Sequence, residues 1–151
     1  MQTITPFLWF DTQAEEAMNF YTSVFADSKV ISVTRVQGRV MSVVFELKGQ
    51  RVMALNGGPT YKLNPSFSLF VGCDSQAQVD ELWEKLIAGG GAPNRCGWLM
   101  DRYGLSWQII PHELMTLMSG PDPAAAGRVM NAMLQMEKID VEGLRRAKKG
   151  A

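Results

Sequence analysis

The chain is poor in the residues from which most catalytic and metal sites are made. It has one histidine, His112, and two cysteines, Cys73 and Cys96. The cysteines lie apart with no CxxC spacing, so independent reduced thiols are expected rather than a disulfide or a zinc site. Charge of one sign is missing too: fifteen basic and fifteen acidic residues give a formal net charge of zero. Neither nucleic acid nor an anionic membrane is the expected partner of such a chain. No apolar run approaches the roughly 20 residues of a membrane span, and Met1-Gln2-Thr3 lacks the basic start of a signal peptide. A cytoplasmic protein is therefore expected. A length of 151 residues points to a single domain, 1–151, that buries about two-thirds of its unfolded surface.

What is present is a duplication. Asp11-Thr12-Gln13-Ala14-Glu15 returns as Asp74-Ser75-Gln76-Ala77-Gln78, 63 positions on, each copy after an apolar run and before a helix-period pattern. Each reads as a capping box, with the Thr12 or Ser75 hydroxyl taking a backbone N–H and Glu15 or Gln78 reaching back. The spacing exceeds that of common solenoid repeats and suits a duplicated half-domain, which places function between the halves.

Ile4 to Phe10 predicts a strand, and Ala14, Ala17, Met18, Tyr21, Val24 and Phe25 mark one face of a helix. Three β-rich runs follow, Val30 to Val36, Val40 to Leu47 and Val52 to Leu55, joined by the short turns Gln37-Gly38-Arg39 and Lys48-Gly49-Gln50. Residues 1–58 thus form a βαβββ module. The second, 66–111, opens with a strand from Phe67 to Val71 and a helix that buries Val79, Leu82, Trp83, Leu86 and Ile87. Gly89-Gly90-Gly91 follows that helix rather than preceding one, so it caps an end instead of cradling a phosphate. Strands near Cys96 to Met100 and Leu105 to Ile110 flank the turn Asp101-Arg102-Tyr103-Gly104, with a short poorly marked strand around Pro93 to Arg95. In the tail, 112–151, Asp122-Pro123 starts a helix whose Val129, Met130, Met133 and Met136 form a stripe. Packing is the commoner use of such a stripe, and an adaptable partner groove the rarer one. Asp140 caps a last helix, whose basic end, Arg145 to Lys149, suits a helix C-terminus.

This pattern resembles the vicinal oxygen chelate superfamily, the glyoxalase, bleomycin-resistance and extradiol dioxygenase group, and within it the PhnB-like branch. The residues that carry the likeness are Ile4-Thr5-Pro6-Phe7-Leu8-Trp9-Phe10 with Ala14-Glu15-Glu16-Ala17 and Phe20-Tyr21, Ala54-Leu55-Asn56-Gly57-Gly58-Pro59, Cys96-Gly97-Trp98-Leu99, and Asp101-Arg102-Tyr103-Gly104-Leu105-Ser106-Trp107-Gln108. The resemblance implies an α+β fold, two βαβββ modules forming an open cup-like sheet, here with a C-terminal helical extension. Branch members often carry a 3-demethylubiquinone-9 3-methyltransferase label. This sequence does not support methyl transfer, because no glycine-rich strand-turn-helix for a nucleotide-sized donor opens it.

Metal-dependent members of the superfamily hold a divalent ion through four inward side chains. By approximate matching these fall on Thr5, Asn56, Ser68 and Gln108. None offers imidazole, thiolate or carboxylate, so no metal or other cofactor is expected. Sharing parity with them are Phe7 and Trp9, Ala54, Ser66 and Phe70, and Ser106. The expected ligand-binding set is Thr5, Phe7, Trp9, Asn56, Ser68, Phe70 and Gln108, suited to a flat, uncharged or weakly polar small molecule. The same side chains could instead fill the cup and satisfy one another.

Two function classes follow. One is a metal-free small-molecule binding protein, comparable to the drug-sequestering bleomycin-resistance members, which work as dimers. The other is an enzyme: a metal-dependent lyase, isomerase or dioxygenase whose ligands lie among Glu46, Asp101 and His112, metal-free acid–base chemistry, or the methyltransferase of the label. His112 falls outside the matched positions, has only Glu113 beside it as an orienting carboxylate, and reads as solvated or capping. The resemblance and the methionine-rich tail together imply a homodimer.

Overall fold

The computed structural model describes residues 1–150. By its internal contacts the chain divides into two compact units, Met1–Asn64 and Pro65 onward.

The first unit is a βαβββ module: β1 (Phe7–Phe10), α1 (Ala14–Val24), β2 (Ser28–Val36), β3 (Arg39–Leu47) and β4 (Gln50–Asn56). The strands lie in the order β1-β4-β3-β2, with β1 parallel to β4 and the other pairs antiparallel. Helix α1 buries Ala14, Ala17, Met18 and Tyr21 and packs on β3 and β4. Beneath it Leu8, Phe10, Val43, Phe45, Val52 and Ala54 are all buried. Alternation explains the selection, because every second residue of a strand shares one face.

Capping does not repeat as the duplicated phrase predicts. Ser75 caps α2 (Gln76–Ile87), its Oγ accepting the Gln78 N–H, while Gln78 Oε1 accepts the Asp74 N–H. The first copy makes no such box: Gln13 stands at the N-cap of α1 with no side-chain cap bond. The cap comes from another strand, since Asn56 Oδ1 accepts the Ala14 N–H at 2.8 Å. An orphan helix donor needs an acceptor, and any well-placed side chain can supply it.

The second unit repeats the module with β5 (Ser68–Cys73), α2, β6 (Ala92–Pro93), β7 (Trp98–Met100) and β8 (Ser106–Pro111), in the order β5-β8-β7-β6. Helix α2 buries Val79, Trp83 and Leu86, and Leu99, Trp107 and Ile109 are buried beneath it. Helices α3 (Glu113–Met118), α4 (Pro123–Leu134) and α5 (Val141–Lys149) complete the unit. Asp122 and Asp140 cap α4 and α5 as the sequence predicts. The tail joins the unit through one apolar cluster of Ile110, Leu114, Leu117, Val129, Ile139 and Leu144, with Met118, Met133 and Met136 packed against it. Much of the methionine stripe is thus packing, while Met115 on α3 stays exposed. Among the described residues no helix is long and apolar enough to cross a membrane.

Candidate functional site

Each sheet has one face under a helix and one face turned away from it. In the second unit the away face carries Ser68, Phe70 and Gly72 from β5 and Ser106, Gln108 and Ile110 from β8, paired in that order. Trp98 of β7 pairs with Gln108 and joins the same face. Gln108 Nε2 donates to Ser68 Oγ at 2.9 Å. Beside this pair Phe70 is 60% exposed, an unusual state for a phenylalanine in a strand. Ser68, Phe70 and Gln108 are thus brought together as the sequence predicts. Trp98 belongs with them and escaped notice, because its strand has only three residues and too few alternations to read.

The first unit carries half-exposed Phe7 and Trp9 on the corresponding face. Trp9 is held: its Nε1 donates to the Gly58 carbonyl at 3.0 Å, and its ring meets Tyr61 edge-on at 5.1 Å. A Cβ on Gly57 would come within 2.3 Å of the indole, so glycine is required there. Thr5, half-buried, precedes the strand. Ala54 and Asn56 lie on the opposite face, under α1, because Ala54 pairs with Leu8 and Asn56 with Phe10. The expectation that they line the same face as Phe7 and Trp9 is corrected. Phe7 pairs with Met53 as Phe70 pairs with Gln108, so the true counterpart of Gln108 is Met53. Both amide groups of Asn56 are engaged, with Oδ1 on Ala14 and Nδ2 on the Val40 carbonyl.

The other candidates have structural partners. Glu46 lies 3.3 Å from Arg51 and 4.0 Å from Lys29, a cross-strand charge group. Asp101 is buried and accepts from the Tyr103 and Leu105 N–H groups and from Trp107 Nε1, which fixes the β7–β8 turn. Burial, and then the neighbouring Asp74 charge, push the buried Cys73 thiol from 9.0 up to about 11. His112 Nε2 lies 3.5 Å from Asp74 Oδ1, while Glu113 is engaged by Arg145. The Arg145 hydrogen bonds hold the Glu113 carboxyl below the usual carboxylate range.

A divalent metal fits this donor set poorly. In the first unit Thr5, with Met53 at the matched position by register, supplies a hydroxyl and a thioether, and in the second Ser68 and Gln108 supply a hydroxyl and an amide, none charged. Among the described residues no group of three or more His, Cys, Asp or Glu side chains is placed to hold a metal ion.

Two βαβββ modules, each with its first strand parallel to its last, give the chain the glyoxalase/bleomycin-resistance fold. Residues 2–110 match the model of the 3-demethylubiquinone-9 3-methyltransferase family, and the chain belongs to that PhnB-like family. A putative 3-demethylubiquinone-9 3-methyltransferase, PhnB protein, from Bacillus cereus is 36% identical at a TM-score of 0.67, with 73% of this chain and 99% of that one covered. A glyoxalase-related enzyme from Fulvimarina pelagi, 18% identical, superposes at a TM-score of 0.52 over 76% of this chain and 91% of that one. For the fosfomycin resistance protein FosX from Mesorhizobium loti the values are 14%, 0.50, 71% and 89%. These last two show the fold alone. No curated protein matches the chain. The family match ends at residue 110, just before the tail helices.

Proposed function

We propose that this chain binds a flat, neutral small molecule on the away face of its second sheet, without a metal ion. The observation that carries the reading is the Ser68–Gln108 hydrogen bond beside exposed Phe70. A phenylalanine left in water on a sheet face is a stacking platform without a partner. Gln108 keeps its carbonyl oxygen, and the Ser68 hydroxyl its proton, for a ligand's polar edge. Both groups are neutral, which disfavours an ionised ligand, since a buried charge needs a compensating partner. A methyltransferase activity, as in the family's name, gains no support from these groups, because none is a base or a cofactor anchor.

The test is equilibrium dialysis of the protein against 4-nitroanisole, a flat neutral aromatic. Saturable binding at one site is expected, weakened about fivefold by Phe70→Ala and by Gln108→Ala, each removing about 1 kcal/mol of stacking or hydrogen bonding. Unchanged affinity in both variants would remove the reading. Trp9→Ala is a poorer probe, because that indole already holds Gly58 and Tyr61.

A further inference from the structure

The only histidine of the chain stands at the end of the same away face. Phe70 pairs with Gln108 and Gly72 with Ile110. Continuing that register by two residues sets Asp74 opposite His112, on the side of the sheet that carries Phe70. The side chains agree. A Cβ built on Gly72 would lie 2.2 Å from His112 Cε1, so the imidazole covers the bare backbone of Gly72. Gly72 is two residues from Phe70, about 6.6 Å along a strand.

Three features make this more than a surface histidine. Gly72 leaves room that any other residue would fill. The main chain is fixed, because the His112 N–H donates to the Cys73 carbonyl at 2.8 Å. The ring is oriented, with Nε2 turned to Asp74 Oδ1 at 3.5 Å. A carboxylate there favours the tautomer with its proton on Nε2, which leaves Nδ1 as an acceptor. Glu113, the other neighbouring carboxylate, is engaged by Arg145 and does not compete for the imidazole. Both His112 and Asp74 are well exposed, with side-chain accessibilities of 65% and 79%, so a ligand can reach the ring.

We infer that His112, held over Gly72 and oriented by Asp74, accepts a hydrogen bond from an acidic hydroxyl at one end of the bound ligand. The ligand class is then a flat aromatic of the phenol type, with its ring on Phe70, its neutral polar edge at Gln108 and Ser68, and its hydroxyl at Nδ1. The inference rests on the binding reading above and names the ligand class for that site.

The test compares 4-hydroxyacetophenone with 4-methoxyacetophenone, which differs by a methyl group in place of the hydroxyl proton, in one buffer at pH 7, where this phenol largely keeps its proton. The protein should prefer the phenol by about tenfold. His112→Gln should bring that preference close to one. Gly72→Ala provides a second route, because its methyl group displaces the ring while leaving histidine in the chain, and Asp74→Asn should lower the preference in part. A preference that survives both His112→Gln and Gly72→Ala overturns the inference and leaves the site itself standing. If the protein binds neither compound, the away face is not the site and both readings fall.

Discussion

Asn56 closes the first turn of a helix that begins 42 residues before it: its Oδ1 accepts the Ala14 N–H at 2.8 Å, and its Nδ2 donates to Val40 O at 3.2 Å. One amide thereby ties β4 to α1 and to β3. Asn56→Ala is expected to destabilise the protein by about 1–2 kcal/mol, in the range of a lost helix cap with a second bond. Thr12→Ala, at the position where the sequence places the cap, should cost less than about 0.5 kcal/mol. Urea unfolding of both variants checks this. The reverse order would return the cap to Thr12.

The two thiols should differ in reactivity. Cys73 is buried, and its thiol is raised to about 11, so almost none of it is thiolate at neutral pH. Cys96 is only partly buried. Iodoacetamide on the native protein at pH 7.5 should therefore label Cys96 and spare Cys73, with both labelled in denaturant; peptide mass spectrometry reads the sites. The same shift sets a pH dependence. Because the folded state holds the Cys73 proton more tightly than the unfolded chain, this residue's contribution to stability is complete below about pH 9 and declines from there through about 11.

Homodimerisation is expected from the family resemblance. Exposed Met115 and Leu134 on the tail helices supply apolar surface of the kind that subunit contacts cover. Light scattering at micromolar concentrations should give twice the 16.8 kDa chain mass. A mass that stays at one chain across that range would count against the dimer.

Much of the fold is legible in the chain. The Asp11 and Asp74 phrases mark the duplication because both stand between a strand and a helix, and a helix start and the periodicity after it are written in neighbouring residues. Asp122-Pro123 and Asp140 mark α4 and α5 for the same reason. The family resemblance of residues 2–110 is equally a property of residue order. The shared face is legible where parity could be counted along one well-marked strand, as at Ser68 and Phe70. It fails at Asn56, where matching by motif slipped three residues from Met53 and so crossed to the other face of the sheet.

The order of residues thus determined which segments become strands and helices, and that the module occurs twice. Only the tertiary structure decided which side chain caps α1, that Gln108 bonds to Ser68 across 40 residues, and that His112 stands over Gly72 opposite Asp74. The reason is one of range. Helix and strand patterns arise from neighbours along the chain, whereas these three contacts depend on the register between strands, which local propensity leaves open and the packed sheet fixes.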